Sequence, residues 1–322
     1  MTEWGMAENP VAALEDGLRS VMHARTISRL RRLSGGASRE TWRFEADGAD
    51  FVLQRVRKGA VGGLHGEPLV LAAAHAAGVP TPELVVDGSD RTELDLPFMI
   101  VRAVEGETIA RKILRDDAYS HARSVLTTQL GTAAAQLHSL DPATVPGLID
   151  EDQIDRYQTA LDTLGEPHPV FEAAFRWLVL NRPSATRQVV VHGDYRLGNI
   201  MVNEHGLAAI LDWELAHLGD PMEDLGWLCV RAWRFGGAQP VAGLGTYDEL
   251  FDAYEKESGM RPDFDVVRWW EILGTLKWGV ICISQAATHL NGLVRSHELA
   301  AIGRRVCENE YDLIELLTES RQ

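Results

Sequence analysis

Asp194, Asn199 and Asp212 are the residues of this 322-residue chain whose types and spacing bear most directly on chemistry. They fall within residues 189–214, VVVHGDYRLGNIMVNEHGLAAILDWE. Three valines end in a polar loop, His192-Gly193-Asp194-Tyr195-Arg196-Leu197-Gly198-Asn199, and two apolar runs follow at residues 200–202 and 207–211. The separator Asn203-Glu204-His205-Gly206 carries the Asn and Gly that supply hairpin-turn conformations. Paired antiparallel, the runs place Asn199 at the start of one strand opposite Asp212 at the end of the other, with Asp194 just upstream. An amide oxygen and a carboxylate form an oxygen-only donor set that suits Mg²⁺, which keeps several waters and takes one or two protein ligands beside substrate phosphates. Two-metal phosphoesterases also use Gly-Asp and Gly-Asn pairs, but from well-separated loops; here Gly193-Asp194 and Gly198-Asn199 share one.

Asp, four residues, Asn, hairpin, Asp is also the order of the catalytic loop and metal-binding segment in protein kinases. His192-Gly193-Asp194 stands at the usual His-Arg-Asp, and Asp212-Trp213-Glu214 at the usual Asp-Phe-Gly. With those two departures the stretch resembles the aminoglycoside phosphotransferase-like family of small-molecule kinases. Over residues 28–317 the chain is similar to a subgroup that also occurs fused to acyl-CoA dehydrogenase domains. The resemblance implies an α+β, protein-kinase-like two-lobe fold that uses ATP and Mg²⁺. An introductory helix within residues 1–27 would precede a small β-rich N-lobe at 28–104 and a larger helical C-lobe at 105–322. Asp194 would accept the proton of a substrate hydroxyl, and Asn199 and Asp212 would hold Mg²⁺. Arg196 could neutralise charge on the transferring phosphoryl group or simply brace the loop.

The elements that must position these groups begin with residues 11–22, where Val11, Leu14, Leu18 and Val21 recur at helical spacing. A turn of small residues containing Gly35, Gly36 and Ser38 then leads into an alternating strand, with Asp47-Gly48 turning into a second strand at 51–56. In the resembled kinases such a hairpin covers the nucleotide phosphates, with Ser38 as a donor. The second strand should carry the phosphate-pairing cation. The family's register puts that position at Gln54, whereas Arg55 has the chemistry, since a guanidinium pairs bidentately with phosphate. Adjacent strand residues point to opposite faces, so only one can serve; the chemistry favours Arg55, and the register objection stands beside it. Glu67, opening a helix at 67–77, is where the family places the glutamate that pairs with that cation. A strand at 94–104 would form the hinge, with the Arg102 carbonyl and the Val104 N–H bonding adenine.

Beyond Gly106 the patterns turn helical: 124–140, 154–164, 171–180, a buried helix over 272–290 and a terminal helix over 299–317. His138 reads as a packed helix-end histidine, Asp220-Pro221 as a helix start, and Asp224 as a hydrogen-bond partner of the catalytic loop. Only seven residues separate Asp212 from Asp220, too few for the long activation segment that presents protein substrates to protein kinases.

Bulk properties narrow the function further. Hydrophobic residues make up 45% of the chain, enough for a large core, and the formal net charge of −16 opposes binding to nucleic acid or to acidic membranes. Three scattered cysteines suggest no disulfide framework, and no secretory signal or membrane span is legible, so a cytoplasmic enzyme is expected. Arg231, Arg234, Arg268 and Lys277 lie among tryptophans in the C-terminal helices. That mixture suits an acceptor with an apolar body and an anionic group, and the fused relatives imply a hydroxyacyl-type metabolite rather than a polycationic aminoglycoside. The small-molecule acceptor would in any case carry a hydroxyl. A catalytically silent pseudokinase and a true aminoglycoside phosphotransferase stay open as alternatives.

Overall fold

The computed structural model describes residues 10–33, 39–57, 63–64, 66–91, 93–184 and 187–319. Its packing divides the chain into two units: Met1–Ala76 with Thr81–Glu105, and Ala77–Pro80 with Gly106–Gln322. The architecture is mixed, with a five-stranded antiparallel sheet in the first unit and a mainly helical second unit.

The first unit runs α1 (Pro10–Met22), β1 (Ile27–Arg32), β2 (Arg39–Ala46), β3 (Ala49–Val56), α2 (Glu67–Ala76), β4 (Leu84–Gly88) and β5 (Phe98–Arg102). Its sheet has the order β1-β2-β3-β5-β4. The β2–β3 turn is fastened by Asp47, whose carboxylate accepts the N–H groups of Arg25 and Thr26 at 3.1 and 2.9 Å. Register then sorts the side chains. Glu40 pairs with Arg55, Trp42 with Leu53 and Phe44 with Phe51, so these share one face of the sheet. Onto that face α1 lays Leu14, Leu18 and Val21, closing a core with Phe44, Leu53, Phe98 and Ile100. The other face carries Arg39, Thr41 and Arg43 from β2, Val52, Gln54 and Val56 from β3, and Met99 and Val101 from β5. The strand expected over 94–104 is shorter, and β4 was not foreseen, because its three apolar residues are too few to stand out from flanking turn residues.

The second unit contains α3 (Ala110–Arg115), α4 (Ser120–Leu137), α5 (Gln153–Leu164), α6 (Pro169–Leu180), β6 (Val189–Val191), β7 (Ile200–Asn203), β8 (Gly206–Ile210) and β9 (His217–Gly219). There follow α7 (Met222–Cys229), α8 (Tyr247–Ser258), α9 (Phe264–Leu290), α10 (His297–Gly303) and α11 (Val306–Glu319). The expected hairpin is β7–β8, with Ile200 opposite Ile210 and Asn203 opposite Gly206. A second pairing, β6 with β9, sets Val191 against His217. The spine is α9, capped at its start by Asp263, whose carboxylate accepts from Asp265 and Val266. Its Ile272, Leu276, Val280 and Ile283 share a core with Phe171, Leu178 and Leu313. Helix α7 lies close against α9 because Gly226 has no side chain; a Cβ there would fall 2.5 Å from Trp270 Cβ. The single terminal helix expected from periodicity is instead α10 and α11, interrupted at Arg304-Arg305 just after Gly303. Among the described residues no helix is long and apolar enough to cross a membrane.

Candidate active site

The loop after β6 takes its shape from its backbone partners. Asp224, fully buried on α7, accepts the N–H groups of His192 and Gly193 at 2.7 and 2.9 Å. Burial alone would raise the Asp224 carboxyl, but the hydrogen bond and charge of His138, with His192, outweigh it and hold the group below the usual aspartate range. From the other side Lys277 of α9 donates to the Gly193 carbonyl at 2.9 Å. Gly193 itself has φ +75°, and a Cβ on it would lie 2.4 Å from the Leu215 carbonyl oxygen, so no other residue fits. The His192 ring bridges the loop to the hairpin's end. Its Nε2 lies 3.0 Å from the Leu211 carbonyl and its Nδ1 3.2 Å from the Asp194 N–H, the pattern of a neutral imidazole donating at Nε2 and accepting at Nδ1. Burial, only partly offset by Asp224 and Asp194, lowers its pKa and keeps it in that form.

Three side chains converge on the Asp194 carboxylate. Arg196 Nε and Trp227 Nε1 donate to Oδ1 at 2.9 and 2.8 Å, and Asn199 Nδ2 donates to Oδ2 at 2.5 Å. Both in-plane lone pairs of Oδ1 are thereby engaged, while Oδ2 keeps one open. The Arg196 guanidinium also lies over the Trp233 ring, 4.6 Å from its centre. Because the Asn199 amide nitrogen faces Asp194, its carbonyl oxygen points the other way. Its backbone carbonyl accepts from Leu211 N–H at 2.8 Å, which ties Asn199 to the residue before Asp212. Asp212 follows in a left-handed conformation, φ +64°. Asn199 and Asp212 thus offer an amide oxygen and a carboxylate, a donor set that fits Mg²⁺ beside phosphate oxygens. Among the described residues no group of three or more His, Cys, Asp or Glu could hold a metal by itself.

Other expected residues fall elsewhere. Glu67, buried on α2, forms its ion pair with Arg39 of β2. This corrects the expectation of a pair with Arg55, which lies on the α1 face and donates to Glu40 and to the Leu94 carbonyl at 2.9 and 3.2 Å. The pleat decides the matter: Gln54, not Arg55, shares the Arg39 face. Gly35, Gly36 and Ser38 lie outside the described residues. Arg102 ends β5, with its side chain on Glu83 at 2.8 Å, and Val104 follows just beyond it. His138 is buried between Tyr254 and Asp224, and the Asp220 carboxylate accepts from Met222 at the start of α7. The four basic residues expected to greet an anionic acceptor are already engaged. Arg231 pairs with Asp312 and Glu315, Arg234 and Arg268 with Glu271, and Lys277 serves the loop. Sequence reasoning put Lys277 and the tryptophans at an acceptor and did not connect Trp227 or Lys277 with the loop, nor Arg39 with Glu67. Trp227 lies three residues after Asp224 on the same helix, and that spacing was the available signal. A cavity of about 350 Å³ opens beside His217, Glu223, Trp269 and Trp270, and none of Asp194, Asn199 or Asp212 lines it.

The model of the phosphotransferase enzyme family matches residues 29–270. The chain belongs to that family. It is 25% identical over 326 residues to acyl-CoA dehydrogenase family member 11 of Gallus gallus, covering 90% of this chain and 41% of the relative. The chain spans less than half the length of such curated relatives. Among solved structures it is similar to one described as a candidate aminoglycoside phosphotransferase from Ralstonia eutropha, with TM-score 0.75 and 23% identity over 96% of this chain and 98% of that one. It is also similar to aminoglycoside phosphotransferase APH(4)-Ia, solved with AMP-PNP and hygromycin B, with TM-score 0.63 and 16% identity over 93% and 98%. These likenesses establish the kinase-like fold of the phosphotransferase.

In this phosphotransferase Asp224 is the fixed point of the loop, and its charge is linked to stability. A carboxyl held below its ordinary range contributes stability above the unfolded pKa, and that contribution disappears as pH falls through the folded value. Asp224→Asn leaves one of two buried N–H groups without an acceptor and is expected to lower stability by about 1–3 kcal/mol at pH 7. The deficit should shrink as pH drops below the aspartate range. Urea unfolding of both proteins at pH 7 and over a series of lower pH values running to below the ordinary aspartate range checks both the size and the sign.

Proposed function

We propose that this phosphotransferase is an ATP- and Mg²⁺-dependent kinase of a small molecule, transferring the γ-phosphoryl group to an acceptor hydroxyl. The observation that carries the reading is Asn199, whose amide nitrogen holds Asp194 while its carbonyl oxygen is left for a cation beside Asp212. Asn199 and Asp212 would hold Mg²⁺, which supplies charge neutralisation on the phosphates. Asp194 orients the acceptor through the open lone pair of Oδ2. As the acceptor oxygen bonds to the γ-phosphorus, the bond to the β,γ-bridging oxygen breaks, its electron pair leaves with ADP, and the hydroxyl proton passes to Asp194. In a loose transition state the proton moves late, so most of the acceleration comes from position and charge. Arg196 fixes Asp194 from one side through its Nε, and the outer nitrogens of its guanidinium would neutralise charge on the transferring group. The Arg102 carbonyl and the Val104 N–H would bond adenine, and Gly35, Gly36 and Ser38 would meet the phosphates. The three cysteines are free thiols, in keeping with work in the reducing cytoplasm.

The acceptor we infer has an apolar, acyl-type body. The support is a cluster of aromatic rings that starts at Asp194's own buried partner Trp227 and continues through buried Trp233 to half-buried Trp278, at ring separations of 5.2 and 4.8 Å. The indole N–H groups of Trp233 and Trp278 are buried without a partner among the described residues, and they suit the carbonyl oxygens of such a body. The chain's similarity to an acyl-CoA dehydrogenase family member agrees with a hydroxyacyl-type metabolite. An anionic group is no longer needed to explain the neighbouring cations, which have their own carboxylates.

ATP consumption with a panel of hydroxylated metabolites, with Mg²⁺ and with EDTA, tests the reading directly; absence of Mg²⁺-dependent turnover on every acceptor overturns it. Asp194→Asn should lower kcat by about 10²–10⁴ while nucleotide binding survives. Asp212→Asn should weaken ATP binding in Mg²⁺ and leave binding in EDTA unchanged, because it removes a ligand charge at the metal. Hydroxyacyl substrates should be phosphorylated and aminoglycosides should not. An aminoglycoside turned over with kcat/KM near ~10⁴ M⁻¹s⁻¹, the lower end for genuine enzyme and substrate pairs, would refute the acceptor assignment.

A further inference from the structure

We infer that the phosphate-pairing cation of this enzyme is Arg39 of β2, not a residue of β3. The inference rests on the ATP-dependent reading above and names the residue that meets the triphosphate in the first unit. Three observations carry it. The first is the partner: Glu67 on α2 is buried, with its side chain 2% exposed, and the cation beside it is Arg39, itself 12% exposed. A buried carboxylate requires such a partner, because an uncompensated charge in that environment is costly. A guanidinium carries five N–H donors in a planar fork, more than one carboxylate takes up, and that fork matches the oxygens of a phosphate as well as those of a carboxylate.

The second observation is the register. Arg39 lies opposite Val56, and Gln54, two residues back on the same face, is its diagonal neighbour within reach of a long side chain. A lysine or arginine at position 54 would bring a second cation onto the single buried carboxylate. A neutral glutamine beside Arg39 avoids that repulsion. The Gln54 Oε1 atom is buried without a hydrogen-bond partner, which leaves room for a donor there. The Gln at 54 and the Arg at 39 are therefore two sides of one arrangement, in which the charge sits on the neighbouring strand.

The third observation concerns two other arginines of the sheet. Arg55 is on the opposite face, held by Glu40 and the Leu94 carbonyl. Arg43 shares the Arg39 face, but at the far end of the strands, where it pairs with Asp50 and Glu105. Kinases of this architecture need a strand cation paired to a helix glutamate before the phosphates are aligned. Among the described residues Arg39 with Glu67 is a pair of that kind.

Calorimetric binding of MgATP and of adenosine to the full-length protein separates a phosphate contact from a structural one. Arg39→Ala should weaken MgATP by at least about tenfold, since it removes a charge-assisted hydrogen bond, and leave adenosine within about twofold. Arg55→Ala should leave both within about twofold. Adding Gln54→Lys to Arg39→Ala returns a cation to the Glu67 side of the sheet and should recover most of the MgATP affinity. Unchanged MgATP affinity in Arg39→Ala, a parallel loss of adenosine binding, or a double variant no better than Arg39→Ala each overturns the inference. If Arg39→Ala folds poorly, as judged by its melting curve, Arg39→Gln keeps the side-chain length and is read the same way. A wild-type protein that binds no MgATP would instead remove the kinase reading itself, and this inference with it.

Discussion

Two backbone N–H groups on one buried carboxylate hold the loop after β6 in place. Asp224 accepts from His192 and Gly193, and the bend this enforces at Gly193 turns the chain so that Asp194 leaves the end of β6 toward Arg196, Asn199 and Trp227. The carboxylate stays charged in a fully buried position because His138 and the loop's own amides compensate it. Lys277 works from the opposite side. It donates to the Gly193 carbonyl and lies 4.5 Å from the centre of the Trp227 ring, so the same ammonium steadies both the loop and the indole that grips Asp194. Burial opposes its charge, but Tyr157, Glu223 and Asp194 together raise its pKa, and it remains a donor.

Two helices bring these supports to one place. Helix α7 carries Asp224 and Trp227, one turn apart, and α9 carries Lys277; Gly226 allows the two helices to approach closely enough for all three side chains to reach the loop. The hairpin contributes separately: just beyond its open end the Leu211 N–H donates to the Asn199 carbonyl, and His192 reaches the Leu211 carbonyl. Asp194 and Asn199 are thus located by hydrogen bonds traced to the hairpin's end, α7 and α9 at once, with Asp212 following directly on Leu211, the kind of over-determination that favours a preorganised site.

The aromatic and basic residues of the C-terminal helices show how pairing in space sorts what composition leaves mixed. Tryptophans among basic residues in the C-terminal helices suggested a pocket for an anionic, apolar molecule. In the fold, the basic residues face carboxylates on α9 and α11, or the catalytic loop, while Trp227, Trp233 and Trp278 form a chain of rings leading from Asp194. Composition reports which groups are near in sequence; pairing in space decides which charges remain to act on a ligand.

The catalytic loop, the hairpin and the helical character of the second unit were legible in the sequence, because each depends on local order. Val189-Val190-Val191, the polar loop, Asn203 to Gly206 and Asp212 lie within one short stretch, and turn chemistry and strand alternation act over that range. Asp224 was legible too, as a carboxylate at a fixed distance beyond the metal segment. The cation that meets Glu67 was not. Residues 39, 54 and 55 all lie on plausible strands, and choosing among them needs the register of β2 against β3 and the position of α2, neither of which local pattern supplies. A one-residue shift in register exchanges the faces of a strand, so Arg55 and Gln54 differ entirely in what they meet although they differ by one place in sequence. The sequence by itself determined the loop and hairpin that bring Asp194, Asn199 and Asp212 into one short stretch, because those depend on local order; only the tertiary structure decided which arginine of the first unit stands beside Glu67, because that depends on register.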